Sequence, residues 1–289
     1  MCKAAKTLEL RNGVQIPVLG FGTWQVADGQ PVYDAVTTAL ECGYTHIDTA
    51  SAYYNEAGIG KAIDDSGLSR DGLFITTKLW NTEQGYESTL ESFARSMERL
   101  RLDYLDLFLV HWPVTYIFQD QYPQKMLDTW KAFEELYRGK KIRAIGVSNF
   151  LGHHIDKLME HSEILPMVNQ LEIHPGYNQR GIVAYCRERG IIVEPWSPLA
   201  SGRMFNYDSP IPGMTRKYGK TAAQIALRWH LQNGWVPLPK STTPSRIAEN
   251  FDVFDFELDD ADMKAIDDMP ESGFSGYHPD DVGFLENLG

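Results

Sequence analysis

The sequence predicts an α/β fold, a (β/α)8 TIM barrel preceded by a short N-terminal β-hairpin. Two observations carry this expectation. Eight short apolar runs alternate with longer amphipathic stretches along the 289 residues, which is the pattern of parallel strands joined by crossover helices. A barrel of this type takes about 250 residues, so the chain accommodates one with little left over.

The hairpin comes first. Leu8-Glu9-Leu10 and Val14-Gln15-Ile16 flank Arg11-Asn12-Gly13, and Asn-Gly between short alternating runs is the strongest local hairpin signal. Residues 6–17 are therefore expected to form a hairpin ahead of the main fold. The eight runs follow: Val18 to Thr23, His46 to Thr49, Leu73 to Lys78, Leu105 to His111, Ile142 to Ser148, Met167 to Glu172, Ile191 to Trp196 and Trp235 to Pro239. Helical patterns between them include Val32 to Cys42, Thr89 to Leu100, Leu127 to Arg138, Ile182 to Arg189 and Ala222 to Gln232, several closed by a glycine in the C-cap manner (Gly43, Gly139, Gly190, Gly234).

The competing architecture, a doubly wound sheet, needs a glycine-rich phosphate turn after an early strand. Gly20-Phe21-Gly22 lacks the third glycine, and Gly58-Ile59-Gly60-Lys61 follows no predicted strand and is not a Walker loop. No Pro/Gly/Ser-rich linker, near-identical repeat or low-complexity tract interrupts the chain, so residues 1–289 are expected to form a single barrel domain.

Composition narrows the function. A net charge of −12 argues against nucleic acid or an anionic membrane as partner, since both require a basic face; solubility accounts for it. Three widely spaced cysteines, Cys2, Cys42 and Cys186, fit a reducing compartment better than a disulfide framework. Met1-Cys2-Lys3-Ala4-Ala5-Lys6 has no apolar signal core, and the run from Leu105 to Val110 is far too short to span a bilayer. A cytoplasmic, monomeric protein is the expectation.

Four chemically complementary groups end three successive runs. Asp48 closes one, with Tyr53 five residues on; Lys78 closes the next, and His111 the third. Each alone has a bland reading: a turn Asp, a packed Tyr, a solvated Lys or His. Together they suit acid catalysis, because a phenol with a reference pKa of about 10 needs a neighbouring cation to lower it before it donates a proton readily. In a parallel barrel all these ends share one rim. The remaining ends, Thr23-Trp24, Ser148-Asn149, Asn169-Gln170, Trp196-Ser197 and Lys240-Ser241, supply amides and hydroxyls for a carboxamide, an indole for a flat ring and a cation for phosphate.

The chain resembles the aldo-keto reductase family over essentially its full length. The resemblance rests on Leu19 to Trp24, Gly43 to Ala50, Leu105-Asp106-Leu107 through His111-Trp112-Pro113, Gly146 to Phe150, and Leu238-Pro239-Lys240-Ser241 through Arg246-Ile247-Ala248-Glu249-Asn250. Short connections after Trp196 and Lys264 resemble the prokaryotic and fungal branch that includes 2,5-diketo-gluconate and methylglyoxal reductases. The resemblance implies NADPH-dependent reduction of an aldehyde, ketone or sugar diketone to an alcohol, with Tyr53 as proton donor, Lys78 tuning it, Asp48 holding Lys78, and His111 polarising the carbonyl. It further implies that Ser148, Asn149 and Gln170 hold the carboxamide, that Trp196 stacks on the nicotinamide, and that Thr23 and Trp24 line its edge. Ser197, Leu199 and Ser201 fall at the pyrophosphate, with Ala200 where a Gly is common. Lys240, Ser241, Thr242 and Arg246 fall at the 2′-phosphate that distinguishes NADP(H), and Glu249 and Asn250 at the adenine edge.

Trp24, Ala52, Tyr54, Trp80, His111 and Trp112 are expected around the substrate carbonyl. The aromatic segment Pro113 to Gln124 either closes one side of the pocket or packs on the barrel. His153-His154 and His161 lack a Cys or carboxylate at ligand spacing, so solvated helix surface is expected and no metal. Two other functions stand beside the reductase. A glycoside hydrolase would use Asp48 and Glu194 as its two acids across a cleft but would leave Tyr53, Lys78 and His111 idle. A non-enzymatic scaffold of the same fold would have no use for the four together.

Overall fold

The structure, a computed structural model, describes residues 6–206 and 209–281. The stretch Met1 to Ala5, Cys2 included, lies outside the described residues. A hairpin of β1 (Thr7–Glu9) and β2 (Gln15–Pro17), paired Thr7 to Pro17 and Glu9 to Gln15, leads into seven parallel strands: β3 (Phe21–Gly22), β4 (His46–Asp48), β5 (Phe74–Leu79), β6 (Leu105–Val110), β7 (Ile142–Ser148), β8 (Val168–Glu172) and β9 (Ile192–Trp196), hydrogen-bonded in that order. Among the described residues ten α-helices accompany them: α1 (Gln30–Cys42), α2 (Glu56–Asp65), α3 (Tyr86–Leu100), α4 (Gln124–Arg138), α5 (Gly152–Met159), α6 (Arg180–Glu188), α7 (Ile211–Tyr218), α8 (Ala222–Gln232), α9 (Pro244–Phe251) and α10 (Asp260–Asp267).

The eighth predicted run closes the barrel without being a regular strand, and its prolines are the reason. Val236 and Leu238 donate their N–H groups to the carbonyls of Val193 and Pro195, and Gly20 and Gly22 donate theirs to Pro237 and Pro239, all at 3.1 Å. A parallel ladder needs a return bond at each step. The return donors here would be the nitrogens of Pro195, Pro237 and Pro239, which carry no hydrogen. Half of the ladder is therefore missing, yet the segment still sits between β9 and β3. Glycines allow the approach: a Cβ on Gly22 would lie 2.9 Å from the Leu238 carbonyl oxygen.

The hairpin covers the end of the barrel at which the strands begin. Leu10 and Ile16 are buried, and Asn12 donates to the carbonyl of Arg143 near the start of β7. Asp106, fully buried on β6, gathers the same end by accepting from the Ile75 amide, Arg70 and Arg143.

The helices follow from their apolar stripes. In α1, Val32, Ala35, Val36, Ala39 and Leu40 are buried at helical spacing, and Gly43 ends it at φ 105°. α8 opens on Thr221, whose hydroxyl caps Gln224 while the Gln224 side chain returns to the Thr221 amide. α2 is absent from the sequence expectation because Gly58 and Gly60 depress helix propensity. Both serve close packing: a Cβ at Gly60 would lie 2.5 Å from the Leu100 carbonyl oxygen, and one at Gly58 2.4 Å from Val32 Cγ1. α7 and α10, only eight residues each, are likewise too short for periodicity to single them out. Among the described residues no helix is long and apolar enough to cross a membrane.

Candidate active site

The site is built on the interior of the barrel, where the strands end. Asp48 closes β4 and Gln170 lies on β8, four strands away in the sheet order, yet Gln170 Nε2 donates to Asp48 Oδ2 at 2.9 Å. Only a path across the barrel's middle joins them. Lys78, on β5 and completely buried, donates from Nζ to Asp48 Oδ1 at 2.7 Å, to the Thr49 carbonyl at 2.8 Å and to the Tyr53 hydroxyl at 3.4 Å. A buried ammonium is stable only with acceptors on every side, and these three supply them.

Tyr53 is placed by a single 3-10 turn, Ser51–Tyr53, that follows β4, with its amide bonded to the Ala50 carbonyl at 3.0 Å. Tyr54 then takes a left-handed conformation (φ 54°) and turns out to solvent, 78% exposed. Asn55, fully buried and not singled out from the sequence, ties the first two loops together: it accepts from Thr49 Oγ1 and donates to the carbonyls of Thr23 and Val26. Its only sequence signal is an Asn placed just before a helix start.

Electrostatics correct one expectation. Burial pushes the Tyr53 phenol above its ordinary value; Lys78 pulls it down and Asp48 raises it, so the cation offsets only part of the burial. The phenol consequently stays protonated throughout the neutral range. Lys78 itself is raised: burial alone lowers it, and Asp48 and Tyr53 more than reverse that. His111 is held well below its usual range by burial and by Lys78, and is a neutral imidazole. Its ring lies edge-on to Tyr53 and Trp80, centroids 5.8 and 5.1 Å apart.

The amide groups of the rim are more committed than expected. Asn149, at φ 62°, donates to the His111 carbonyl and to Ser148 Oγ, and accepts from the Trp196 indole N–H at 2.8 Å. Ser148 in turn donates to the Gln170 carbonyl. Asn149 thus ties the backbone at His111 to the Trp196 indole. Thr23 is buried, bonded to the Asp48 carbonyl. Trp24 is 40% exposed.

After β9 the chain curls through four positive φ angles, at Ser197 (50°), Ala200 (50°), Ser201 (52°) and Gly202 (84°). Ala200 thus adopts the left-handed conformation that glycine favours. Ser197 and Ser201 face each other, Oγ to Oγ 3.3 Å, and Leu199 is half-buried between them. After the closing segment, α9 begins at Pro244 behind Thr243. Lys240, Thr242 and Arg246 are exposed there, Ser241 Oγ accepts from the Thr243 amide, and among the described residues neither Lys240 nor Arg246 is held in an ion pair. Glu249 accepts from Thr221 Oγ1 and braces α8 against α9, with Asn250 buried beside it.

Trp80 and Trp112 are buried together, with Ala52 and Tyr277 packed on them. Tyr277 is a pocket residue the sequence did not reveal. It arrives on the segment after α10, which is fastened by Ser275 donating through both N–H and Oγ to Glu172 at the end of β8. The same segment corrects the reading of His153-His154. Asp280 supplies the distant carboxylate, 3.0 Å from His153 Nε2 and 3.1 Å from His154 Nε2. His154 is buried rather than solvated. Its Nδ1 accepts from the Leu151 amide, which leaves the ring proton on Nε2 facing Asp280. In the Pro113 to Gln124 segment, Tyr116 is about half exposed and Tyr122 packs on His154.

Glu194, fully buried on β9, does not face Asp48 across a cleft: both lie beneath the same Gln170 amide, which donates to Glu194 Oε2 at 3.1 Å. That removes the two-acid hydrolase arrangement.

A model of the aldo/keto reductase family matches residues 18–271. The chain is 47% identical over 278 residues to glyoxal reductase of Bacillus subtilis, covering 96% of this chain and 98% of that one. It is 44% identical over 277 residues to methylglyoxal reductase DkgA of Escherichia coli K12, with coverage of 96% and 98%. A solved variant of Gox0644 in complex with NADPH superposes with a TM-score of 0.86 at 40% identity, covering 96% of this chain and 98% of that one.

Glu194 makes stability depend on pH. Burial, reinforced by Asp48, pushes its carboxyl up from 4.5 to about 8. The folded protein keeps that proton while the unfolded chain loses it, so the contribution is complete below about pH 4.5, declines from there and is gone above about pH 8. Glu194→Gln should remove this decline, and urea midpoints at pH 5, 7 and 8.5 should show the variant gaining on wild type by on the order of a few kcal/mol. Parallel profiles for the two proteins would show that Glu194 is ionised in the fold.

Proposed function

The chain belongs to the aldo/keto reductase family, and on that premise we propose that Tyr53 protonates the carbonyl oxygen of a small aldehyde, ketone or dicarbonyl substrate while NADPH supplies the hydride. Membership in the family makes the protein an NADP-dependent oxidoreductase acting on carbonyl groups. The observation that carries the finer reading is the convergence of Asp48, Lys78 and Tyr53 around one buried ammonium.

When bound, the cofactor supplies a hydride to the carbonyl carbon. The chain's own residues do the rest. Tyr53, kept protonated by burial, presents its O–H to the carbonyl oxygen, where negative charge develops. Lys78 stabilises the phenolate that remains after the proton leaves, and Asp48 keeps Lys78 charged and in reach. His111, neutral, donates a hydrogen bond to the same oxygen without competing as an acid. Trp196, with its indole N–H fixed on Asn149, offers a flat face for the nicotinamide, and the side-chain oxygen Oε1 of Gln170 suits its carboxamide. The curled turn at Ser197, Leu199 and Ser201 presents backbone N–H groups and hydroxyls of the kind that bind pyrophosphate. Lys240, Ser241, Thr242 and Arg246 at the start of α9 fit a phosphate ester, since unpaired cations and a helix N-terminus both favour it. Glu249 and Asn250 lie at the adenine end, where Glu249 remains tied to Thr221. Trp80, His111 and Trp112, with Ala52 and Tyr277 packed on the two indoles, form an aromatic wall that suits a short planar substrate, whereas Tyr54 turns away to solvent; the two named relatives act on glyoxal and methylglyoxal by their names.

Tyr53→Phe should lower kcat for methylglyoxal by about 10² to 10⁴ while NADPH binding, followed by fluorescence, stays as in wild type. Turnover within a few-fold of wild type at pH 7 would remove Tyr53 from the mechanism. Arg246→Ala should raise KM for NADPH by at least about tenfold more than KM for NADH, and the difference should shrink at high salt as the phosphate contact is screened. Equal losses with both cofactors would mean that Arg246 does not read the phosphate.

A further inference from the structure

The catalytic reading leaves one buried group without a task. Glu194 sits on β9 beneath the rim, fully buried, with no contact to Tyr53, Lys78 or His111 among its hydrogen bonds. A buried carboxyl in a barrel interior is costly, and an apolar residue of similar size would be the ordinary occupant. Its one hydrogen bond among the described residues is accepted from the Nε2 of Gln170.

That atom carries two hydrogens, and both are spoken for: one points to Asp48 Oδ2 at 2.9 Å and the other to Glu194 Oε2 at 3.1 Å. Two acceptors on the nitrogen side fix which way the amide faces, because turning it over would set its oxygen against the Asp48 carboxylate. Asp48 and Glu194 fix the amide together: each accepts one of its two coplanar N–H groups, which sets the plane of the amide as well as the way it faces. The consequence appears on the opposite side of the amide. No donor among the described residues reaches Gln170 Oε1, and that oxygen is not among the sealed unpartnered atoms of the interior, so it keeps some access from outside. It can accept a hydrogen bond and can donate none.

We propose that Glu194 is a positioning residue for the cofactor: by holding the second N–H of Gln170, it presents Gln170 Oε1 as a dedicated acceptor for the amide N–H of the nicotinamide carboxamide. This rests on the reading that Gln170 meets the carboxamide, and it adds the residue that shares with Asp48 in giving this contact its polarity. Glu194 does so while protonated, accepting through its carbonyl oxygen, so the interior gains an acceptor without a second negative charge competing with Asp48 for Lys78. His46, the other neighbour of Glu194 with Nε2 3.7 Å from Oε1, is itself neutral because of burial.

The test is discrimination between NADP⁺ and its 3-acetylpyridine analogue, in which a methyl ketone replaces the carboxamide and the N–H donors are gone. Dissociation constants come from quenching of tryptophan fluorescence, with no turnover required. Wild type should bind NADP⁺ about tenfold more tightly than the analogue, the size of one hydrogen bond made in a buried site. Glu194→Leu should cut that ratio at least threefold, while Glu194→Gln, whose side-chain carbonyl still accepts from Gln170, should keep it. Glu194→Met serves as a second apolar replacement, so that the answer does not depend on one variant's folding. A wild-type ratio retained in both apolar variants but lost in Gln170→Leu would overturn the role of Glu194 and leave that of Gln170 standing. Equal falls in the Leu and Gln variants would also overturn it, since the acceptor would then be irrelevant. A ratio near one in wild type, or one unchanged in Gln170→Leu, would show that Gln170 does not meet the carboxamide, and the proposal would fall with that reading.

Discussion

A single ammonium, Lys78 Nζ, sits in the interior of the barrel with no solvent access, and the site is arranged around keeping it charged there. Its three acceptors come from three kinds of structure: a strand-end carboxylate, a loop carbonyl and the phenol of a one-turn helix. Removing any of them leaves a buried charge short of a partner, which costs far more than an exposed ion pair contributes. The same constraint explains the layer beneath. Asp48 needs its second oxygen satisfied, Gln170 satisfies it, and Glu194 satisfies Gln170 while remaining protonated. One cation and one anion therefore sit at the bottom of the pocket, framed by neutral groups.

Strain gathers at the same rim. Tyr54, Asn149, Ser197, Ala200 and Ser201 all have positive φ, and every one of them lies in a loop that follows a strand into the site. Such conformations persist only where the surroundings over-determine them. The surroundings are visible at Asn149, whose amide is held on both sides, by His111 and Ser148 at the nitrogen and by Trp196 at the oxygen. Turning the chain sharply there brings this amide between the Trp196 indole N–H and the backbone carbonyl of His111.

The sequence made the repeating part of this molecule legible, because alternation of apolar runs and amphipathic stretches is a local signal, and because Asp48, Lys78 and His111 fall where strands stop. What it hid was non-local or subtle. The closing segment at residues 235–239 reads as a strand by composition, but three prolines delete its return bonds. α2 was masked by glycines whose purpose is contact with α1 and α3. Asp280 lies 127 positions from His153, and Tyr277 reaches Trp80 and Trp112 from beyond the last helix, so neither could be paired with its neighbours by spacing. The meeting of Tyr53 with Lys78 is legible from where their strands end, whereas the net direction of the phenol's titration is not, because burial outweighs a cation that the sequence shows and the depth of burial is something it does not.

The claim on which the account turns is that Lys78 holds the Tyr53 phenol below the value that burial alone would impose. Protein carrying tyrosine labelled with carbon-13 at Cζ, compared with Tyr53→Phe to assign the resonance, allows this one phenol to be titrated by NMR in wild type and in Lys78→Met. The account predicts that Tyr53 in Lys78→Met remains protonated to a distinctly higher pH than in wild type. Coincident titration curves would show that the ammonium does not act on the phenol and would contradict it.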